Sequence, residues 1–431
     1  MPAADTKAST TVDAASVQNV SAPAATDEHK LSPGDPGHGR MRLALFAAGL
    51  ATFALLYSTQ ALLPDISRDL GATPDQASWT VSGATIGLAV AVLPLSGLSE
   101  RFGRRRMLSV SMAVAVLLAL IVPFAPNLGS LIALRTLQGA AIAGVPASAM
   151  AFLADEVRSR YLVGATGLFV AGNSVGGMSG RILTGWVTEA WGWRAGLGTV
   201  ALTSLLCMIA FQLLVPRARN FQPSAVSARG LLRTAGTHLR NPLLLRLYAI
   251  GLLFMSVFGA VYTVIGYRLV DEPFNLSQGL VGSIFIIYLV GTVSSATAGK
   301  LNARLGRRGT LYLGIGTVVA GLLLSLSDSL VAVALGLVLI TAGFFAGHSV
   351  ASGSVSSTAQ EGRAQAQALY QMAYYVGSSV GGALGAVAFA GGGWAATVAL
   401  TLLSMILAAG VTLYATRQAA VQRRELAAAR G

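Results

Sequence analysis

Two arginines and one histidine lie inside long apolar segments of this sequence, where ionisable side chains are rare. Arg135 and Arg181 interrupt runs of Leu, Ile, Ala and Gly, and His348 closely follows two phenylalanines in another run. In a hydrocarbon setting an arginine costs about 2.5–3.5 kcal/mol or more, so it must face a wet cavity or hydrogen-bond to its neighbours. The chemistry open to these residues is anion binding or proton relay, since histidine titrates near neutral pH.

Each of these three side chains also has a structural interpretation. Arg135 could donate to backbone carbonyls of a neighbouring helix, but we expect it to contact an anion or a proton path, together with Gln138 one turn later. Arg181 could line the same path or extend toward the end of its segment, and both interpretations stay open. A lone histidine is more often a polar packing residue than a proton relay, so His348 also keeps two interpretations.

Acidic residues are absent from the middle of the apolar segments. All 17 Asp and Glu residues fall in the terminal regions, in loops or at segment ends. Asp65, which follows Pro64, is the nearest carboxyl that could carry a proton, although we favour an interfacial helix-end role for it. A path with arginine and without carboxylate favours an anionic or neutral polar ligand over a hydrophobic cation. Polar and aromatic side chains that could line such a path are Tyr57, Gln60, Gln138, Tyr262, Tyr370, Gln371 and Tyr374.

Residue clusters typical of enzymes and cofactor sites are missing from the sequence. Cys207 is the only cysteine, and the chain has four histidines. No Ser–His or Cys–His constellation, metal-ligand cluster or Gly-x-x-x-x-Gly-Lys-Ser/Thr phosphate loop is present. We therefore predict no catalytic residues, no metal and no cofactor, and we expect neither an enzyme nor a self-contained ATP-driven pump.

The segments that must position these residues are long and strongly apolar. Hydrophobic residues make up 54% of the chain and charged residues only 11%, too few to cover the surface of a soluble protein of 431 residues. Each segment can cross a hydrocarbon core of about 30 Å as a helix. We predict an all-α integral membrane protein whose twelve transmembrane helices form two pseudo-symmetric six-helix bundles. The segments are 42–63, 77–98, 107–126, 129–153, 162–188, 194–215, 243–270, 277–299, 309–326, 329–353, 364–389 and 393–416.

The distribution of charge predicts the topology of these helices. The net charge is +13, yet Lys and Arg cluster between the apolar segments, which indicates membrane topology rather than nucleic-acid binding. With cytoplasmic termini, 25 of the 30 Lys and Arg residues lie on the inner side and three on the outer side. The linker is basic and mildly amphipathic, which favours a helix at the membrane surface. The predicted organisation is a disordered cytoplasmic tail (1–40), an N-terminal bundle (41–215), a cytoplasmic linker (216–242), a C-terminal bundle (243–416) and a cytoplasmic tail (417–431).

The two halves of the sequence repeat each other. The pattern Arg, apolar residue, Gly, Arg, Arg occurs at 101–105 and again at 304–308. The fifth segments of the two halves also match, with the glycine pattern of 172–180 repeated 205 residues later at 377–385. Internal repeats of this kind are typical of secondary carriers, in which the binding site lies between the halves.

These loops resemble those of the major facilitator superfamily, and the resemblance covers residues 42–416. The first loop is similar to the family pattern Gly-x-Leu-x-Asp-Arg-x-Gly-Arg-Arg, with Ser96 in place of the first glycine and Glu100 in place of the aspartate. The second loop keeps Gly299 but has Ala303 at the acidic position. The resemblance implies that the first loop is a conformational latch formed by Glu100, Arg101, Gly103, Arg104 and Arg105.

Two further motifs carry the resemblance. Arg135-Thr-Leu-Gln138-Gly is similar to the superfamily's Arg-x-x-Gln-Gly pattern, which is associated with proton-coupled members. The fifth segment, with Gly172, Gly176 and Gly180 one turn apart, resembles the drug-antiporter motif and is most similar to the YnfM-like, arabinose-efflux-related group. Glycines at this spacing let two helices pack closely. Because segments one, four, seven and ten line the cavity in the family, the resemblance favours Tyr57, Gln60, Arg135, Gln138, Tyr262 and His348 as path residues.

The resemblance implies a secondary active transporter that works by alternating access. We expect proton-coupled efflux of a small polar compound or drug by a monomer in a bacterial inner membrane. The expected partners are a small-molecule substrate, protons and the lipid bilayer, and no nucleic acid. Two alternatives stay open: an uptake carrier for an organic anion, and a sensor or scaffold that keeps a carrier fold without transporting.

Overall fold

The computed structural model describes residues 30–221, 228–359 and 362–428. Within these ranges the regular structure is helical, and the only β pairing is an isolated bridge between Leu31 and Val157. Nine helices in the described ranges are long and apolar enough to cross a membrane. Three of the nine contain 56, 47 and 52 residues, far more than the roughly 20 that one crossing needs.

Each of these three long helices consists of two membrane spans joined at a glycine. The backbone leaves the helical conformation at Gly192, Gly306 and Gly393, where φ is +81°, +70° and +65°. Glycine adopts this left-handed region without the steric cost of a Cβ atom. The described chain therefore crosses the membrane twelve times, and the predicted fold of twelve helices in two bundles is confirmed.

We number the twelve spans α1 to α12 in chain order. The end of the bundle where Gly103 and Gly306 lie is called the latch face, and the opposite end the far face. The first half contains α1 (Pro36–Leu56), α2 (Pro74–Phe102), α3 (Arg104–Ile121), α4 (Leu128–Glu156), α5 (159–191) and α6 (193–214). The second half contains α7 (Pro242–Val270), α8 (288–305), α9 (307–324), α10 (Leu330–Thr358), α11 (363–391) and α12 (394–428). Shorter helices are Leu63–Leu70 after α1, Ala228–Arg240 before α7 and Gln278–Ser283 before α8.

Side-chain caps define where several of these helices begin. At the start of α4 the side chain of Asn127 accepts the backbone N–H of Ser130 at 2.9 Å. At the start of α7, Asn241 accepts the N–H of Leu243 at 3.0 Å, immediately before Pro242 enters the first turn. These contacts satisfy donors that the first turn of a helix leaves without a partner, which is why the polar breaks between apolar segments become helix starts.

The N-terminal part of the fold begins earlier than the sequence predicts. Helix α1 starts at Pro36 rather than at residue 42, and the backbone of Leu31 pairs with Glu156 and Arg158 at the end of α4. Residues 30–40 therefore belong to the fold and not to the predicted tail of 1–40. Residues 1–29 lie outside the described residues.

The predicted linker and C-terminal tail also contain helix. Within 216–242 the chain forms the helix Ala228–Arg240, while 222–227 lie outside the described residues. Helix α12 continues to Ala428, through most of the predicted tail of 417–431, and 429–431 are not described.

Glycines pack equivalent helices together in the two halves. Gly172, Gly176 and Gly180 of α5 lie against the α1 backbone, and a Cβ atom on Gly176 would lie 2.1 Å from the carbonyl oxygen of Leu50. The glycines 205 residues later lie in the same way against the α7 backbone. The sequence repeat thus corresponds to a repeated helix contact. The second set is Gly377, Gly381 and Gly385.

Candidate functional site

A cavity of about 580 Å³ lies between the two halves. Its wall is formed by α1, α2, α4 and α5 from the first half and by α7, α8, α10 and α11 from the second. The described residues of the wall include many aromatic rings, one arginine and one histidine, but no Asp or Glu. Its polar side chains belong to Tyr57, Gln60, Asn173, Ser174, Arg181, Tyr288, His348, Gln367, Gln371, Tyr374, Tyr375 and Ser378.

The cavity reaches the latch face and is closed at the far face. Ala151, near the end of α4, and Ala364, at the start of α11, line its latch-face end. At the far face the hydroxyl of Tyr267 donates to the carbonyl of Leu63 at 3.0 Å and lies 2.6 Å from the hydroxyl of Ser67. These bonds join α7 of the second half to the segment after α1 in the first.

Two further contacts between the halves close the far face. The carboxylate of Glu189 accepts the backbone N–H of Gly279 at 2.7 Å. Gly185 of α5 and Gly282 before α8 lie so close that a Cβ atom on Gly185 would be 2.9 Å from Gly282. The two backbones can meet at this point because neither residue carries a side chain.

A seam of three hydroxyl residues joins α2 to α11. The Oγ1 atom of Thr85 lies 2.6 Å from the Oγ atom of Ser379. Ser379 donates to the carbonyl of Ser82 at 2.9 Å, and Ser82 donates in return to the carbonyl of Ser379 at 3.1 Å. We call these residues the hydroxyl seam. The bonds are buried, so they stabilise the closed far face in surroundings with little water.

Arg181 lies in the cavity wall next to the far-face closure, where a Cβ atom added to Gly282 would lie 2.9 Å from its backbone oxygen. The residue is only 2% exposed. Its Nε and Nη2 atoms donate to the side-chain oxygen of Gln60 at 2.8 and 2.6 Å, and its Nη1 atom donates to the carbonyl of Gly177. Both acceptors are neutral oxygens, so these bonds hold the guanidinium in place without cancelling its charge.

Three aromatic rings surround the Arg181 guanidinium. The Cζ atom lies 4.5 Å from the ring centre of Tyr57, 4.7 Å from that of Phe285 and 5.0 Å from that of Tyr288. Cation–π contacts at these distances offset part of the cost of burying a charge. The side chain is therefore fixed as a cation at one end of the cavity.

His348 lines the cavity from α10. Its Nδ1 atom lies 2.9 Å from the hydroxyl of Tyr370. Its ring stacks on Phe344 with 5.8 Å between ring centres and also contacts Tyr374 at 4.8 Å. The imidazole is thus held among aromatic rings and beside one hydroxyl. Within the described residues no cluster of His, Cys, Asp or Glu is placed to hold a metal ion.

Comparison with known proteins identifies the family. The sequence model described as Major Facilitator Superfamily matches residues 44–270 and 249–430. The chain belongs to the major facilitator superfamily. Its relatives include the uncharacterized MFS-type transporter YybF of Bacillus subtilis (strain 168), 36% identical over 384 residues that cover 89% of this chain and 95% of YybF. They also include the inner membrane transport protein YnfM of Escherichia coli (strain K12), 35% identical over 400 residues, or 93% and 96% of the two chains. The predicted family and its YnfM-like character are confirmed, and the protein is a multi-pass membrane transporter.

A solved structure agrees with the superfamily fold. A bacterial homologue of the human lysosomal transporter Spinster, in an inward-facing and unoccupied conformation, superposes on this chain with a TM-score of 0.74. The two sequences are 14% identical, and the match covers 89% of this chain and 98% of the homologue. At this identity the likeness concerns the fold alone.

In this superfamily member, Arg135 and Gln138 lie outside the cavity wall. Arg135 is 1% exposed and donates to the carbonyl of Leu55 at 2.7 Å, to that of Thr80 at 3.2 Å and to that of Leu56. It also donates to the side-chain oxygen of Gln138. Helix α1 ends at Leu56, where the last carbonyls of a helix need donors from outside it. The guanidinium donates to both carbonyls, and that of Leu55 also accepts from the backbone N–H and the hydroxyl of Ser58. This geometry matches the structural interpretation, and a role of Arg135 in a substrate or proton path stays a prediction.

Asp65 and Tyr262 also lie outside the cavity wall. The carboxylate of Asp65 is at the far face, 2.5 Å from the guanidinium of Arg68. The hydroxyl of Tyr262 lies 2.6 Å from that of Thr341, and its ring packs among buried aromatic residues. The structure therefore brings six of the candidate path residues together in the wall. They are Tyr57, Gln60, Arg181, His348, Gln371 and Tyr374.

The predicted latch of the superfamily member forms a chain of ion pairs at the latch face. The guanidinium of Arg104 lies 4.0 Å from the carboxylate of Glu100 and 3.5 Å from that of Asp155 at the end of α4. It also lies 5.9 Å from the ring centre of Phe221 in the linker. Gly103 has a φ of +103°, which allows the sharp turn between α2 and α3. The latch role itself, including that of Arg101 and Arg105, stays a prediction.

Sequence reasoning missed several residues that the fold brings to these places. Glu156 is buried, and its carboxylate accepts the backbone N–H groups of Arg219 at 2.8 Å and Asn220 at 3.0 Å, which fastens the linker to α4. Asp155 and Phe221 meet Arg104 from distant segments that share no motif with it. Asn173, Gln367 and Ser378 line the cavity; their polarity within apolar segments is the only signal that could have indicated them.

Proposed function

We propose that this chain exports a small organic anion across a bacterial inner membrane in exchange for protons. The observation that supports this most directly is Arg181, a cation in a cavity whose described wall contains no carboxylate. In a cavity of low polarity such a charge attracts an anion more strongly than it would in water. A guanidinium has five N–H donors, and Gln60 and Gly177 use three of them. The remaining N–H groups can donate to a carboxylate, sulfonate or phosphate.

The cavity also suits a ligand with an apolar body. Its volume of about 580 Å³ lies within the roughly 300–1,000 Å³ of small-molecule sites. The rings of Tyr57, Phe258, Tyr288 and Tyr374 are part of the wall, and several of them contact one another. The proposed substrate therefore combines one acidic group, bound at Arg181, with an apolar or aromatic portion that packs against these rings.

The conformation of the molecule fits one state of an alternating-access cycle. The cavity reaches the latch face, which the charge distribution predicts to be cytoplasmic, and hydrogen bonds between the halves close the far face. Export requires the two halves to rock about the cavity so that the far face opens and the latch face closes. The ion pairs of Arg104 with Glu100 and Asp155 would then stabilise one of the two states.

Proton exchange requires a group that titrates within reach of the cavity. His348 is the described wall residue whose ordinary pKa lies closest to physiological pH. Its contact with the hydroxyl of Tyr370 gives it a neighbour that can accept or pass a proton. We propose that His348 carries the coupling proton while Arg181 carries the anion.

The charge preference of the site can be tested by ligand stabilisation of the purified protein. The probes are matched trios of similar size, such as benzenesulfonate, benzenesulfonamide and benzylamine, together with aliphatic equivalents. Ligands that bind the folded state raise its melting temperature. We expect the anions to stabilise the protein and the amides and amines to do so far less. Stabilisation by the amines alone would contradict the proposal.

The direction of transport is tested with the best-binding anion in membrane vesicles of both orientations. Accumulation in everted vesicles, dependent on an imposed proton gradient, is the expected result for export. Accumulation only in right-side-out vesicles would instead indicate an uptake carrier for the same anion. Binding without flux in either orientation would indicate a sensor or scaffold.

A further inference from the structure

Three arginines lie together in a cleft at the latch face of the second half. Arg246 comes from the start of α7, and Arg307 and Arg308 come from the start of α9. The described residues that line the cleft include no Asp or Glu. We call this surface the basic cleft. Its other lining residues are Leu243, Leu247, Ile250, Leu311 and Thr412.

The internal repeat allows this cleft to be compared with the equivalent position in the first half. Arg307 occupies the position in the second loop that Arg104 occupies in the first. In the first half Arg104 lies within 4.0 Å of Glu100 and Asp155. The second loop has Ala303 in place of Glu100, and among the side chains that the structure describes, which do not include those of 415–428, no carboxylate lies within ion-pair distance of Arg307. Arg104 in the first half therefore has ion pairs at this position, whereas Arg307 in the second half shares a cleft with two further arginines.

The cleft lies where the helices enter the membrane. Arg307 directly follows the helix break at Gly306, and α9 runs into the membrane from this point. Leu243, which lines the cleft, is 44% exposed, and Leu313, farther along α9, is 48% exposed, so both helices carry apolar side chains that are open to lipid. The guanidinium of Arg246 lies 4.9 Å from the ring centre of Tyr414 on α12. Tyrosine and arginine in this position are typical of the headgroup region of a membrane.

We propose that the basic cleft binds the headgroup phosphate of an anionic phospholipid. Phosphate oxygens accept paired hydrogen bonds from guanidinium groups, and several arginines together attract a negative headgroup. Basic pockets between helices on the cytoplasmic side of a membrane bind anionic lipid headgroups in this way. The acyl chains would lie along the exposed leucines of α7 and α9. Because the cleft is separate from the cavity, this binding does not depend on which substrate is transported.

The test compares two lipids with the same acyl chains on the purified full-length protein. Dioleoylphosphatidylglycerol carries a net negative charge and dioleoylphosphatidylcholine does not, and each is titrated in detergent while melting temperature and bound lipid by native mass spectrometry are recorded. We expect phosphatidylglycerol to bind more tightly and to raise the melting temperature more. Each arginine near the headgroup is worth about fivefold in affinity, so Arg307→Gln should weaken binding about fivefold and the triple Gln variant at Arg246, Arg307 and Arg308 on the order of a hundredfold.

Matched variants separate the cleft from charge in general. Arg304→Gln removes one charge from the same loop outside the cleft and should keep the preference for phosphatidylglycerol. Arg307→Lys keeps the charge and should keep most of the preference. If the triple variant does not fold, Arg307→Gln alone tests whether the cleft binds the lipid headgroup. Unchanged phosphatidylglycerol affinity in Arg307→Gln, equal binding of the two lipids, or equal stabilisation by glycerol 1-phosphate, which lacks acyl chains, would overturn the proposal.

Discussion

At the scale of single residues, Arg181 determines whether the cavity prefers an anion. Arg181→Gln keeps a polar side chain but removes the charge, and charge-assisted hydrogen bonds of this kind contribute about 1.5–3 kcal/mol. We expect the dissociation constant of the best anionic ligand to rise about tenfold to a hundredfold, measured by calorimetry on the purified protein. Arg181→Lys keeps the charge but not the planar fork, so it should lose less. Unchanged anion affinity in Arg181→Gln would place the anion elsewhere.

Arg135 is expected to act on stability rather than on ligand binding. Its guanidinium donates to the carbonyls of Leu55 and Leu56 at the end of α1, and without it Leu55 would still accept from Ser58. The carbonyl of Leu56 would lose the donor that Arg135 provides, and a buried acceptor left without a donor costs about 1–3 kcal/mol. Arg135→Gln should therefore lower the melting temperature in detergent by several degrees, while anion affinity stays within about twofold of the native value. The reverse result, with anion binding lost at an unchanged melting temperature, would support the path role predicted from the sequence.

The difference between these two arginines shows what the sequence can predict about a site. Both are rare charges in apolar segments, and that pattern alone does not show that their roles differ. Arg181 lies one residue beyond the glycine stripe, and the fold turns it toward Gln60 and the cavity. Arg135 is directed by the end of α1 at Leu56, which lies inside the single span predicted at 42–63. The sequence thus identified the charged residues, but their surroundings depend on a helix break that hydropathy does not reveal.

At the scale of elements, the close contact of α5 with α1 depends on residues without side chains. Gly176→Ala would place a Cβ atom 2.1 Å from the carbonyl oxygen of Leu50, so the helices must move apart. We expect overpacking to cost about 1–3 kcal/mol and to lower the melting temperature of the purified protein. Gly167→Ala is the matched control on the same helix, because nothing lies within 4 Å of its added Cβ. Alanine there should be neutral or stabilising, since it favours helix.

A similar loss of melting temperature in both glycine variants would mean that backbone flexibility, not the helix contact, explains the effect.

The sequence predicted this stripe well because four-residue spacing places the glycines on one helix face. It did not predict which helix they contact, since α1 and α5 are distant in the chain. The start of α1 at Pro36 was missed for a different reason: Arg40 and Arg42 interrupt the apolar pattern there, although the helix continues through them.

At the scale of the whole molecule, the sequence predicts the number of spans, their pairing into halves and their orientation, because length, repetition and charge each leave a periodic signal. It does not predict which face of the molecule is closed. The same residues form both states of an alternating carrier, so the populated state depends on a small difference in free energy between two sets of contacts. In this structure the hydrogen bonds between the halves at the far face stabilise the state in which that face is closed.

Substitutions in the hydroxyl seam should therefore change the relative populations of the states with a closed and an open far face. In the double variant Thr85→Val and Ser379→Ala the side chains are nearly isosteric but lack the hydroxyl hydrogen bonds, each worth about 0.5–1.5 kcal/mol. Two bonds between the halves are lost, so we expect the far-face-open population to rise about fivefold to a hundredfold. Spin labels at the exposed far-face residues Trp191 and Asp328, in a Cys207→Ser background, report the separation of the halves by pulsed dipolar spectroscopy.

The control is Thr199→Val, which removes a hydroxyl bond within α6 alone and should leave the distance distribution unchanged. If the double variant also leaves it unchanged, the seam contributes packing but not the free energy that holds the far face closed.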